Sequence, residues 1–238
     1  MELEKRSSIR SQKAGVRCAW IFSLLVVVGW LGIGGFYAPF PADLGIDATK
    51  EWYTETSRWP TIIGCSILYF ACIFLVPSSV QFGIMLSKQE GRWPLWSITV
   101  SVAGIFISLI IFLNACAWIV TAYRPETGAD VIQSWNDWAW FAFLLGWCYL
   151  ALEMVAAGVA ELMDERETPM VPRWFTWFTF AGAFAEVTAM GPAFFKSGPF
   201  AYNGLFGFYM PMIIWGIYLN GTAYFMYREL NREAAGKA

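Results

Sequence analysis

The sequence predicts an all-α membrane protein, a bundle of six transmembrane helices forming a single integral membrane domain over residues 1–238. Three observations carry this. Of the 238 residues 58% are hydrophobic and only 14% are charged, against roughly 25% charged in soluble domains. Six apolar stretches each reach the ~20 residues a helix needs to cross a bilayer. Lysine and arginine gather in alternate connections between those stretches.

The first span, 18–37, follows a basic segment, 1–17, that carries Lys5, Arg6, Arg10, Lys13 and Arg17. The apolar run is long, and Gly32–Gly35 offers no clear small-residue cleavage site, so an uncleaved helix is expected. Asp47 is expected to cap a short helix over Ala48–Arg58 that leads into the second span, 59–86. Pro60 suits a first helical turn, where its missing N–H has no partner to lose. Pro77 should kink the second span and free a carbonyl for Ser78 or Ser79. The third span runs over 95–122 and the fourth over 138–162. A charged connector from Glu161 to Arg173 holds Pro169 and Pro172. The fifth span covers 174–195, with Gly191-Pro192 expected to end its helix, and the sixth covers 205–227. A basic tail, 228–238, closes the chain.

With the N-terminus placed in the cytoplasm, twelve basic residues fall inside: the first five, Lys88, Arg92, Arg166, Arg173, Arg228, Arg232 and Lys237. Four fall outside: Lys50, Arg58, Arg124 and Lys196. The bias predicts both termini in the cytoplasm. Arg92-Trp93 and Arg173-Trp174 open the third and fifth spans 81 residues apart, and Trp59 and Trp140 share that spacing. Spans two–three and four–five therefore read either as parallel repeated hairpins or as independent helices with ordinary Arg/Trp interface anchors.

Composition excludes several chemistries. The net charge of −2 leaves no basic footprint for nucleic acid. Histidine is absent, which removes His-ligated haem, His-containing zinc or copper sites and Ser–His–Asp catalysis. Cys18, Cys65, Cys72, Cys116 and Cys148 lie in apolar runs without a C-x-x-C pair and read as small buried hydrophobes. No metal and no cofactor is expected. The partner expected is the lipid bilayer, with other membrane subunits or self-association left open.

Ionisable groups inside a span are costly and mark candidate sites. Glu153 in span four and Glu186 in span five are the clear cases. Counted from the cytoplasmic ends of their helices, the two should lie within ~5 Å in height. If they share one cavity they cannot both ionise easily and would share a proton. Such a pair could bind a cation, relay protons or act as a general acid; equally, each could bond a neighbouring helix and only fix packing. Tyr149 precedes Glu153 on its helical face. Asn114 in span three and Gln81 in span two complete the candidate set, with interhelical hydrogen bonding as the simpler role for both. Met154, Met190, Met210 and Met212 would give an adaptable apolar lining or ordinary packing.

The segment Phe195-Lys-Ser-Gly-Pro-Phe-Ala-Tyr-Asn-Gly204 and the entry Trp135-Asn-Asp-Trp138 resemble a family of small bacterial six-helix hypothetical membrane proteins, over spans two to six. The resemblance implies a bacterial cytoplasmic (inner) membrane and no particular activity. Three functions stay open: small-solute or proton-coupled transport through the intramembrane carboxylates, a non-catalytic subunit of a larger or homo-oligomeric membrane complex, or a membrane enzyme doing acid–base chemistry on a lipid-soluble substrate. The lack of His, Lys or a metal motif in the spans weighs against the enzyme.

Overall fold

A computed structural model describes residues 2–236, with side chains from Ser7 onward, so Lys5 and Arg6 as side chains and Lys237 altogether lie outside the described residues. The described chain is helical and contains no strand. Its helices are α1 (Glu2–Leu25, continuing as a π-helical stretch Val26–Ile33), α2 (Ile46–Glu51, continuing as Trp52–Thr56), α3 (Arg58–Glu90), α4 (Leu95–Tyr123), α5 (Ala129–Leu145), α6 (Cys148–Leu162), α7 (Arg173–Ala185, tightening to a 3₁₀ stretch Glu186–Ala193) and α8 (Met210–Ala234, entered through Leu205–Tyr209). Among the described residues four segments are long and apolar enough to cross a membrane: Ser7–Ile33, Arg58–Glu90, Leu95–Tyr123 and Ala129–Leu162. Leu24, Phe70, Ile73 and Ile105 stand exposed on the flanks of three of them, a distribution that suits lipid rather than water.

Several boundaries differ from those read in the sequence. The short helix before the second span begins at Ile46, its N-cap is Gly45, and Asp47 makes no capping bond. Asp47 instead occupies the first turn, where its charge still favours the helix N-terminus. The fourth span starts at Ala129, nine residues early, and is broken at Gly146–Trp147 into α5 and α6. The fifth helix tightens at Glu186, five residues before Gly191, because the i→i+3 pattern accommodates Pro192 better than a continuing α-helix. Pro77 leaves α3 unbroken. Ser78 and Ser79 both donate to the Leu75 carbonyl, at 2.8 and 2.9 Å, rather than to the Ile73 carbonyl that the proline orphans.

Small residues set the packing. On α3, a Cβ at Gly64 would lie 2.6 Å from the Gly34 nitrogen and 2.8 Å from the Gly29 carbonyl oxygen, so the end of the first helix rides directly on the α3 backbone. The α3–α4 hairpin closes in the same way: Ser108 donates to the Cys72 carbonyl at 2.9 Å and Ser101 to the Ser79 carbonyl at 3.3 Å. Its turn needs Gly91 at φ 77°, ψ −143°, a region that only glycine tolerates. Glu90 then caps α4 from across that turn, accepting from the Trp96 and Ser97 backbone N–H groups at 2.9 and 2.6 Å.

The two ends of the bundle differ. At the acidic end, α2 docks on α5 through Thr49 donating to Gln133 (2.6 Å) and Tyr53 donating to Asn136 (2.8 Å). The Phe195–Gly204 segment folds back there, with Tyr202 buried and stacked on Trp140 at 4.8 Å. At the basic end the end of α3, the α6–α7 connection and the end of α8 converge, joined by Lys88–Glu233 and Arg166–Glu229 ion pairs. The two Arg-Trp helix entries differ in contact: Arg92 stacks on its neighbour Trp93, whereas Arg173 donates to the Glu161 and Asp164 carbonyls that end α6.

Candidate functional site

α6 is rich in alanine and carries Gly158, which keeps its inward face narrow enough for neighbours to approach closely. Glu153 lies on that face, 4% exposed. Tyr218 of α8, fully buried, donates its phenolic O–H to Glu153 Oε1 at 3.3 Å. The other oxygen is accommodated by α4: a Cβ at Gly104 would sit 3.3 Å from Glu153 Oε2 and would collide with Ser79 of α3. Glu153 therefore stands where α3, α4, α6 and α8 meet, and no basic side chain pairs with it among the described residues.

Glu186 is as deeply buried, 3% exposed, and both of its oxygens lack a hydrogen-bond partner. It begins the 3₁₀ stretch, on the buried face with Ala189 and Pro192. A Cβ at Gly182 would lie 2.6 Å from Met154 Cε, which sets Glu186 about 5 Å beyond the level of Glu153. Similar depth does not make them partners: Glu153 bonds Tyr218, and no bond links the two carboxyls. Tyr149 lies apart from both, 37% exposed and stacked on Phe106 at 5.1 Å. Asn114 is fully buried in α4 with neither amide atom bonded. Gln81 donates to Gln12 across α1 at 3.5 Å, beneath Gly15. The five candidates thus occupy five separate environments.

Three residues that sequence reasoning passed over lie nearer to Glu153 in kind. Glu161, assigned to the connector, is the next to last residue of α6, 2% exposed, with both oxygens unbonded. Thr176 of α7 faces it. Thr222, one turn along α8 from Tyr218, is fully buried and its hydroxyl is unbonded. The spacing of eight residues between Glu153 and Glu161 leaves them ~80° apart around the helix, a same-face signal readable in the sequence. Tyr218 offered no such signal within its apolar run.

Beyond Glu161 the basic end opens into a cavity of about 390 Å³ lined by Lys88, Gln89, Asp164, Arg166, Glu229 and Glu233. Arg166 holds Asp164 at 2.7 Å and Glu229 at 2.5 Å. Burial works against charge on Asp164, yet the Arg166 guanidinium and the Met170 and Arg166 N–H groups outweigh it and hold its pKa below the usual aspartate value. Arg166 is held correspondingly above the usual arginine value, first by its hydrogen bonds to Asp164.

Two further hollows face outward. A groove of about 250 Å³ between the first and last helices is walled by Phe22, Val26, Leu31, Phe208 and Met212. Its polar points are the Asn220–Ser23 bond (3.0 Å) and the Tyr209 O–H on the Tyr37 carbonyl (3.0 Å), and no acid lines it. A shallow apolar depression of about 630 Å³ lies between α4 and α5, at Leu113, Val120, Trp135 and Trp138. Among the described residues no three Cys, Asp or Glu side chains gather to hold a metal ion. No protein-family model, curated protein or solved structure matches the chain.

Proposed function

We propose that this chain is a six-span protein of the bacterial cytoplasmic membrane, with both termini inside, that moves protons, or a small solute coupled to them, through its helix bundle by way of Glu153. The observation that carries the reading is the burial of the Glu153 carboxyl at a four-helix junction with Tyr218 as its donor and no counter-cation among the described residues. An ionised carboxylate in that setting is costly, so the group rests as the acid and becomes useful when a proton leaves or returns. The span count draws support from length. α7 with its 3₁₀ continuation reaches ~35 Å, enough for a ~30 Å hydrocarbon core, although its breaks make it less regular than the other spans.

Purified protein in liposomes loaded with a pH-sensitive dye tests the transport reading. An imposed potential should drive proton entry in the wild type and not in Glu153→Gln. Equal rates in the two would overturn it. Orientation is tested by impermeant maleimide on cells bearing Lys196→Cys or Arg166→Cys in a background without native cysteines. Position 196 should label in intact cells and 166 only after permeabilisation; the reverse pattern would refute the topology.

A second reading, a subunit of a homo-oligomeric or larger membrane complex, is favoured by the concave apolar surface around Trp135 and Trp138. Such a surface fits a helix from another copy, and crosslinking through Val131→Cys in membranes would report it. The enzyme reading finds less support, because the sideways groove carries no carboxyl.

A further inference from the structure

The charged cavity at the basic end and the Glu153–Tyr218 pair are separated by two turns of α6. That interval is not purely apolar. Glu161 stands at its outer limit with both carboxyl oxygens buried and unbonded, Thr176 faces it from α7, and Thr222 presents an unbonded buried hydroxyl from α8. Buried polar atoms are nearly always satisfied in native proteins. The Thr176 hydroxyl is placed to serve one Glu161 oxygen, which leaves the second oxygen and the Thr222 hydroxyl to be explained.

We infer that Glu161 is a second proton-carrying carboxyl, the one that exchanges protons between the basic-end cavity and the Glu153–Tyr218 pair. The inference rests on the proton-transfer reading above and deepens it. Glu161 lies ~12 Å along α6 from Glu153, and Tyr218 closes the inner end of that interval by donating to Glu153. The groups beside Glu161 are Thr176 and Arg173 of α7. The Arg173 guanidinium is anchored on the Glu161 and Asp164 carbonyls, at 2.7 and 2.5 Å. It can therefore stabilise the carboxylate left when the proton departs without forming an ion pair that would trap it. In the transfer, which follows loss of the Glu153 proton, the O–H bond of the Glu161 acid breaks, each intervening hydroxyl accepts one proton as it releases another, Tyr218 delivers the last to the Glu153 carboxylate, and the Glu161 carboxylate regains a proton from solvent in the cavity. Asp164, bonded to Arg166 and to backbone N–H groups, is fixed as a carboxylate and does not compete for that proton. It keeps Arg166 at the cavity wall.

Infrared difference spectroscopy on the full-length protein in liposomes, transferred from water to heavy water, reads the carboxyl directly. The wild type should show protonated-acid absorption that shifts on exchange, and Glu161→Gln should remove one component of it while the Glu153 component remains. The same variant should slow dye-reported proton entry about a hundredfold or more, as expected when a positioned proton-transfer group is removed. Acid absorption undiminished in Glu161→Gln, or proton entry unchanged by it, would overturn the assignment. A wild type without proton entry but with the exchanging Glu161 band would instead refute the transport reading and leave Glu161 as an exchanging acid. Should Glu161→Gln not fold, Glu161→Asp must displace one component of the exchanging acid absorption, and a spectrum identical to the wild type would place the acid elsewhere.

Discussion

The resting state of Glu153 can be read from what Tyr218 is worth to it. The phenol donates to Oε1 at 3.3 Å, longer than the ~2.7–2.8 Å common for O–H···O bonds. A neutral bond of this kind should contribute about 0.5–1 kcal/mol, in line with hydrogen bonds inside membrane bundles. A bond to a carboxylate should contribute about 1.5–3 kcal/mol. Glutamine in place of Glu153 preserves shape and a neutral carbonyl acceptor, so Tyr218→Phe should cost nearly the same in the wild type and in the Glu153→Gln background. The expected coupling is under ~0.5 kcal/mol. The assay is reversible unfolding in bicelles by added denaturing detergent at neutral pH, for the wild type, both single variants and the double variant. A coupling above ~1 kcal/mol would show that Tyr218 bonds a charged group. Glu153 would then rest ionised, and the transport reading would lose its chemical basis.

Other outcomes follow from the same contacts. Gly64→Ala places its methyl against the backbone of Gly34 and Gly29, which cannot rotate away, so it should lower stability by about 3 kcal/mol. Gly216→Ala meets nothing within 4 Å and should raise stability by up to ~1 kcal/mol through helix propensity; the same detergent titration compares them, and equal effects would contradict the close α1–α3 approach. Asp164 has a folded pKa below its ordinary value. Its contribution is therefore fully present above about pH 4 and is lost as pH falls through the lower folded value. Asp164→Asn should remove that acid limb from the stability–pH profile, and a limb that persists would assign it to another carboxyl. Arg173→Met should fray the end of α6 by releasing the Glu161 and Asp164 carbonyls, seen as faster amide exchange at 162–166 with little change in α3.

Apolar length made the long helices readable, because a span is a property of some twenty consecutive residues and survives errors at either end. Local geometry was harder to anticipate. Asp47 was a good capping type in a plausible place, but Gly45 reached the extended conformation first and the helix began at Ile46. Gly191-Pro192 was the visible breaker, yet the helix tightened at Glu186, six residues before the proline. The resemblance-bearing segment at 195–204 gave no hint of its fold, since Tyr202 is placed by Trp140, more than sixty residues away.

The candidate site shows the same division between local pattern and tertiary partner. Hydropathy located Glu153 and Glu186 because a charge in an apolar run is conspicuous. It suggested they would meet because their depths agree. Depth constrains only one coordinate, however; the direction in which each residue faces around its helix decides the partner. Glu153 faces α4 and α8, where Gly104 makes room and Tyr218 supplies a donor, and Glu186 lies on the buried face of a different stretch. Glu161 was set aside for the opposite reason. Its neighbours in sequence are Asp164, Glu165 and Arg166, so it looked solvated, while Thr176 and Arg173 of α7 in fact lie against it and it is buried. A charged residue at the last turn of a span is thus ambiguous until its face is known. If that face is the one carrying an intramembrane acid two turns earlier, the sequence already contains the grounds for treating the two as one system.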